Sequence, residues 1–118
     1  MIILLSLKIT PDRSNPMKIV KVAYTANAAF AEQNQKNIQK VMADLRKLNS
    51  PGINYHCCLE SNGKTFIHTS FFQSDDDRKT LNELPSFIYF QEQLKAAGFE
   101  DPPKQEFLTL VGSSAAIF

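Results

Sequence analysis

The chain has 118 residues, which is enough for one domain with a single hydrophobic core but too few for two ordinary domains. Thirteen basic and twelve acidic side chains leave a formal net charge of +1, so overall charge favours neither nucleic acid nor an anionic membrane as a partner. No apolar run approaches the roughly 20 residues that a membrane-spanning helix needs. We therefore expect a small globular domain with no nucleic-acid or membrane partner.

The two cysteines and the opening segment bear on the compartment. Cys57 and Cys58 are adjacent, so on a strand they point to opposite faces and are poorly placed to bond with each other. Free thiols are typical of a reducing compartment, which predicts a cytoplasmic location. The opening MIILLSLKIT has no basic start and no small-residue cleavage site, and Lys8 interrupts its apolar run, so it does not resemble an export signal.

The first sixteen residues are predicted to be an extension of the domain. Residues 2–9 have strand-like composition, and residues 11–16 are polar and turn-forming, which is typical of a linker. Met17 is then a candidate for the natural start of the protein. The predicted organisation is an extension over residues 1–16, one domain over residues 17–112 and a C-terminal tail over residues 113–118.

The first predicted strand and helix follow this extension. Residues 18–25 (KIVKVAYT) are rich in β-branched and aromatic side chains and contain neither Gly nor Pro, which favours a strand. Asn27 can cap the helix that follows. Apolar residues recur through that helix at helical spacing, at Phe30, Ile38, Val41, Leu45 and Leu48. Pro51 and Gly52 then end it and redirect the chain.

Residues 51–74 predict a β-hairpin. Asn62 and Gly63 favour a two-residue type I′ loop, because both tolerate positive φ. That loop pairs Ile53 with Phe72, Tyr55 with Ser70, Cys57 with His68 and Leu59 with Phe66. These eight residues share one face, and the other face carries His56, Cys58, Ile67, Thr69 and Phe71. Because both faces carry apolar side chains, we expect both to be covered.

Two helical pieces and a last strand complete the prediction. Ser74 and the three aspartates after it are typical of a helix start, which we favour over a metal site. Pro85 begins a second helical piece over residues 86–97, and Gly98 ends it. We predict a loop at residues 101–103 and a strand over residues 105–111. The order β-α-β-β-α-β predicts an α+β, ferredoxin-like fold, with a four-stranded antiparallel sheet and helices on one face.

The hairpin register brings one pair of reactive side chains together. His68 faces Cys57 with an expected Cβ separation of roughly 4.5 to 5.5 Å. Two ligands are too few for zinc, so we expect no metal. A Cys-His nucleophile is the catalytic alternative, and simple packing in the sheet is the favoured interpretation. Tyr55 and Ser70 share this face and are candidates to line a pocket, whereas His56 is the candidate on the opposite face.

Five stretches of the chain, taken in order, resemble one known family. They are KIVKVAYT, PGINYHCCLESNG, KTFIHTSFFQS, LPSFIYFQEQL and QEFLTLV. The most telling pieces are Pro51-Gly52, Phe72-Gln73-Ser74, Pro85-x-Phe87 and Phe90-Gln91. Together they resemble the antibiotic-biosynthesis-monooxygenase-like (ABM) branch of the dimeric α/β-barrel superfamily, over roughly residues 17–112.

The resemblance implies a homodimer in which two sheets pack as a dimeric α/β barrel. Because two helices cover only one sheet face, the open face is the expected dimer interface. Relatives often bind ligands near the end of the first strand, which makes Tyr24 and Asn27 candidate ligand-binding residues, and we add His56, Ser70 and Phe72 to them. Many relatives have Trp where Phe72 stands and His where Ser86 stands, so no catalytic residue is carried over, and only His68, Cys57 and Tyr55 remain as catalytic candidates.

Two functions follow from these residues and the resemblance. The first is binding of a small apolar or aromatic molecule, with cofactor-independent monooxygenase activity as the enzymatic version; no cofactor is expected. The second is a structural or ligand-binding homodimer without catalysis. RNA binding is disfavoured, because the RNP motif is missing from the third strand and the charge is balanced.

Overall fold

A computed structural model describes residues 17–118, and the predicted extension at residues 1–16 lies outside the described residues. Four strands and three helices follow one another along the chain. They are β1 (Lys18–Ala26), α1 (Ala31–Leu48), β2 (Ile53–Leu59), β3 (Thr65–Phe72), α2 (Asp75–Asn82), α3 (Pro85–Ala97) and β4 (Phe99–Leu108). None of the helices in the described part is long and apolar enough to cross a membrane.

The strands form one antiparallel sheet in the order β2-β3-β1-β4, with the helices on one face. This is the predicted ferredoxin-like fold, in which α2 and α3 together replace the second helix. The core lies between the helices and the sheet. Its largest fully buried apolar side chains are Tyr24, Phe66, Phe72, Phe87, Phe90, Leu81 and Leu94. Because these side chains are apolar and mostly aromatic, any polar group in this layer lies in an apolar environment.

The hairpin register is confirmed, but its loop is longer than predicted. The backbone N–H of Glu60 donates to the carbonyl of Thr65 at 2.9 Å, so this hydrogen bond encloses a loop of four residues, 61–64. Gly63 has positive φ and Asn62 does not. Instead, the Asn62 side-chain oxygen accepts from the backbone N–H groups of Lys64 and Thr65 at 3.0 and 2.9 Å. The register is unchanged because the observed loop extends the predicted one by one residue at each end.

Helix α1 differs from the prediction in its cap and in the exposure of Leu48 at its end. Asn27 does not cap α1, because a turn in which Phe30 N–H bonds the Asn27 carbonyl separates it from the helix start. The Asn27 amide instead donates to the carbonyl of Ala97 at the end of α3, at 2.6 Å. At the other end, Asn49 takes the left-handed conformation that closes many helices. Leu48, predicted to be apolar-facing, is 48% exposed.

The starts of α2 and α3 are confirmed. Ser74 caps α2, and its hydroxyl oxygen accepts from the backbone N–H of Asp77 at 3.2 Å. Pro85 occupies the first turn of α3, where its missing N–H costs no hydrogen bond, and Gly98 ends the helix at a φ of 80°.

The last strand begins earlier than predicted and includes Pro102 and Pro103, so the predicted loop at residues 101–103 is wrong. The strand also ends at Leu108, short of the predicted residue 111. Proline is tolerated because β4 is an edge strand and pairs only with β1. The pairing is irregular between Ala23 and Thr25, which is where the prolines lie opposite β1.

Candidate functional site

A chain of hydrogen bonds crosses the buried layer between the sheet and the helices. The Tyr24 hydroxyl lies 2.9 Å from His68 Nε2, and the Tyr55 hydroxyl lies 2.6 Å from His68 Nδ1. The Asn34 side-chain amide donates to the Tyr24 hydroxyl at 2.9 Å. We call these four residues the His68 network. It joins β1, β2, β3 and α1 through side chains alone.

The network lies on the helix-covered face because strand residues alternate between faces. His68 is 1% exposed and Tyr24 is 1% exposed, whereas Tyr55, on the edge strand β2, is half-buried. Aromatic rings enclose the imidazole of His68. The ring centroids of Tyr24, Tyr55 and Phe90 lie 5.3, 5.8 and 5.5 Å from that of His68.

The hydrogen bonds favour one tautomer of His68. A neutral imidazole has one N–H donor and one acceptor nitrogen. If Tyr24 donates to Nε2, its hydroxyl also accepts from Asn34 and is fully satisfied, and Nδ1–H donates to Tyr55. The other tautomer would leave the fully buried Tyr24 hydroxyl proton without its His68 acceptor. The first arrangement is favoured because it pairs the Tyr24 hydroxyl fully and leaves the remaining free proton on Tyr55, a half-buried residue of the edge strand.

Burial keeps this network uncharged. Desolvation lowers the pKa of His68 to about 3, so the imidazole is neutral at physiological pH. Desolvation also raises the pKa of Tyr24 and of Tyr55, so both phenols keep their protons. The network therefore offers neutral hydrogen-bonding groups, and it is poorly suited to gain or lose a proton near pH 7.

Tyr55 also lines a surface cavity of about 410 Å³ between the end of α1 and the start of β2. We call it the Tyr55 cavity. Its other lining residues are Met42, Leu45, Arg46, Asn49, Ser50, Pro51, Ile53, Asn54, Ile117 and Phe118. The Asn54 amide donates to the carbonyl of Ile117 at 2.8 Å, which holds the C-terminal segment at the cavity. Its volume lies in the range of small-molecule sites, and Tyr55 connects it to the buried histidine.

Cys57 lies opposite His68 in the register but is not its hydrogen-bonding partner in this arrangement. Both nitrogens of His68 lie within hydrogen-bonding distance of tyrosine hydroxyls, and the Cys57 thiol lies 3.8 Å from the carbonyl oxygen of Cys58. Burial raises the pKa of the Cys57 thiol to about 12, which opposes formation of a thiolate nucleophile. Both cysteines are free and border a second, smaller cavity of about 120 Å³.

The remaining predicted site residues are dispersed. Ser70 and Phe72 are fully buried on the helix-covered face, and no hydrogen-bond partner for the Ser70 hydroxyl occurs among the described residues. His56 is exposed on the open face, where its ring lies 6.1 Å from that of Phe71. Asn27 bonds the end of α3. Within residues 17–118, no three potential metal-binding side chains come together.

Sequence reasoning missed Asn34. The spacing of residues in α1 could have identified it. Asn34 precedes Ile38 by four residues and Val41 by seven, which places it on the apolar face of the helix. An amide on such a stripe must be buried, and the structure shows Asn34 with no exposed surface. A buried amide requires a partner, which here is Tyr24.

The sequence matches no known family profile and no curated protein. Solved structures, however, share the fold. A provisionally designated antibiotic biosynthesis monooxygenase of Caulobacter crescentus superimposes with a TM-score of 0.69 at 19% identity, covering 83% of this chain and 92% of that protein. A similarly designated protein of Bacteroides thetaiotaomicron gives a TM-score of 0.74 at 10% identity, covering 86% and 96%.

A third similar structure is SnoaB, a cofactor-independent oxygenase from Streptomyces nogalater. It gives a TM-score of 0.63 at 12% identity and covers 86% of this chain and 99% of that protein. At such identities the comparison establishes the fold. The ferredoxin-like fold predicted from the sequence is thereby confirmed, and it is the fold of these proteins.

Proposed function

We propose that this protein binds a small aromatic molecule in the Tyr55 cavity, with the Tyr55 hydroxyl orienting the polar group of that molecule. The observation that carries the proposal is the double role of Tyr55. Tyr55 lines the cavity, while its hydroxyl lies 2.6 Å from His68 Nδ1. A hydroxyl anchored in this way is preorganised, so a ligand need not restrict it on binding.

The lining of the cavity fits an aromatic ring with polar substituents. Met42, Leu45 and Ile53 supply an apolar wall, and Phe118 adds an aromatic ring. A few polar groups near an apolar surface are typical of small-molecule sites, where the apolar area provides affinity and the polar groups provide orientation. Tyr55 is half-buried as a whole residue, so the part of it that lines the cavity is accessible without the fold opening.

Cofactor-independent oxygenation is the enzymatic version of this proposal, and the shared fold with SnoaB supports it. In such a reaction the substrate supplies the electrons, one oxygen atom of O2 enters the substrate and the other leaves as water. The substrate must lose a proton, and His68, with a pKa of about 3, is a weak base for that step. Ligand binding is therefore the better supported function.

We also propose a homodimer in the reducing cytoplasm, joined through the open sheet face. Ile67 and Phe71 are half-buried on that face of β3, and Leu108 is exposed on it at the edge. Apolar side chains on an uncovered sheet face are typical of an interface. The free cysteines support a reducing compartment. A dimer that neither binds nor converts a ligand is the alternative function.

Calorimetric titration with 2-naphthol tests the proposal. We expect micromolar to millimolar affinity, and a reduction of about fivefold in Tyr55→Phe, which loses one hydrogen bond of about 1 kcal/mol. Tyr89→Phe is the matched control, because Tyr89 is 55% exposed on α3 and does not line the cavity.

Met42→Trp should block binding by filling the cavity, which provides a second variant if Tyr55→Phe is unstable. Undetectable binding to the wild-type protein, or equal binding by all four proteins, would overturn the proposal. Oxygen uptake with a quinol substrate, measured in the same samples, separates the enzyme from the binding protein.

A further inference from the structure

We infer that the Tyr55 cavity selects aromatic molecules that carry one negative charge, and that Arg46 is the charged partner of that ligand. The inference rests on the proposed function and specifies its ligand class. Among the described residues that line this cavity, Arg46 is the one with a charged side chain, and none has a carboxylate side chain. The cavity lining thus has a side-chain charge of +1 next to an apolar wall.

Among residues 17–118, no ion pair includes Arg46. Lys36 pairs with Glu32, and Lys40 pairs with Asp44 at 2.8 Å, whereas Arg46 takes part in neither pair. Arg46 is exposed in the last turn of α1, where a cation also complements the helix dipole. That role uses the charge alone, and a guanidinium can at the same time form the paired hydrogen bonds that a carboxylate accepts.

Charges around the cavity place the anionic group at the Arg46 end. The carboxylate of Asp77 lies behind Ser50, 3.5 Å from the Ser50 hydroxyl, and disfavours an anion at that end. Tyr55 keeps its proton and offers a neutral hydroxyl. A ligand that satisfies both groups has an apolar aromatic body, a carboxylate or similar anion, and a separate hydroxyl or carbonyl for Tyr55.

Two probes of matched shape test this selection, 6-hydroxy-2-naphthoate and its neutral amide, titrated at pH 7.5. We expect wild-type protein to bind the acid about fivefold more tightly than the amide, in line with a partly exposed, charge-assisted pair. Arg46→Gln should abolish that preference, and Arg46→Lys should retain part of it. The preference should also shrink between 0.05 and 0.5 M NaCl, because salt screens exposed charges.

Lys47→Gln is the matched control, because Lys47 is the exposed neighbour of Arg46 and does not line the cavity. It removes the same net charge and should leave the preference intact. A variant with three glycines added after Phe118 moves any terminal carboxylate away from the cavity. This variant should prefer the acid over the amide at least as strongly as the wild type does.

The outcomes separate this inference from the proposed function. Equal affinity for acid and amide in the wild type, or an equal loss in Arg46→Gln and Lys47→Gln, overturns the charge selection while aromatic binding stands. Loss of the preference in the extended chain also overturns it. Absence of binding by both probes refutes the aromatic site itself.

Discussion

His68 is a buried histidine whose two nitrogens both lie within reach of tyrosine hydroxyls. Charging it would break this arrangement, because an imidazolium donates from both nitrogens and Tyr24 would have to turn its own proton elsewhere. Burial, which disfavours the charged imidazolium, lowers the pKa of His68 in the folded protein to about 3, whereas in the unfolded chain the usual pKa near 6.5 applies.

This difference in pKa predicts that acid destabilises the fold below neutral pH. Between pH 6.5 and 3 the unfolded chain binds a proton at residue 68 that the folded chain excludes, so stability is present above 6.5 and is lost as the pH falls. From pH 7 to pH 5 the free energy of unfolding should drop by about 2 kcal/mol from this group. Urea denaturation at a series of pH values measures it.

His68→Gln should remove that part of the pH dependence, while His56→Gln should keep it because His56 is exposed on the open face. A pH dependence that is the same in both variants would contradict the account. The comparison between variants matters because carboxylates also titrate near pH 5.

The hairpin register correctly predicted which residues lie opposite one another, but not which of them bond. Cys57 of β2 lies directly opposite His68, as predicted. The imidazole nevertheless bonds Tyr24, which is two residues along β1 from Val22, the residue opposite His68 on that strand. Sequence alone fixes the position of a Cβ atom more readily than the direction of a ring. For the same reason the cavity around Tyr55, which depends on the placement of residues 117–118, was not predictable.

At the scale of elements, Asp77 joins the start of α2 to the loop before β2. Its carboxylate accepts from the hydroxyl of Ser74 at 2.8 Å and lies near that of Ser50 at 3.5 Å. Gly52 permits this approach, since a Cβ atom on residue 52 would lie 2.2 Å from Asp77 Oδ2. The absence of a side chain at residue 52 therefore lets the two segments meet.

Gly52→Ala should lower the free energy of unfolding by about 1 to 2 kcal/mol, because the Asp77 carboxylate must leave its hydroxyl partners. In an Asp77→Ala background the same substitution should cost less than about 0.5 kcal/mol, since the clash is gone. Gly112→Ala, where nothing lies within 4 Å of the added Cβ, is the control. Chemical denaturation checks all of them, and an equal cost in both backgrounds would refute the contact.

Element starts were more predictable than the bounds of β4 because they depend on local chemistry. Ser74 and Pro85 act within one helical turn, so their roles followed from the sequence. Pro102 and Pro103 indicated a loop, and only the sheet order shows that they lie on an edge strand, where a missing N–H is tolerated.

Across the whole molecule, the sheet has helices on one face, and no helix or strand within residues 17–118 covers the other. That face mixes apolar and polar groups, with Ile67 and Phe71 near Thr69, Lys21 and His56. Burying these apolar side chains against a second copy of the chain would stabilise the dimer. In a two-fold symmetric dimer the same surface of each copy forms the interface.

Sedimentation at micromolar concentration should therefore give a mass near twice the 13.3 kDa of one chain. Ile67→Lys should shift the protein toward monomer, because a buried, unpaired charge is costly at an interface. Ile88→Lys is the control, since Ile88 is exposed on α3, away from the open face. A wild-type monomer, or equal dissociation in the two variants, contradicts the proposed interface.

A backbone-amide NMR titration with 2-naphthol locates the ligand on the protein and so shows whether it binds in the Tyr55 cavity. Shift changes should concentrate in residues 42–46 of α1, 50–55 before and within β2, and 117–118, and they should weaken in Tyr55→Phe. Changes concentrated instead on the open face at Ile67 and Phe71, or around Cys57 and Cys58, would contradict binding in the Tyr55 cavity.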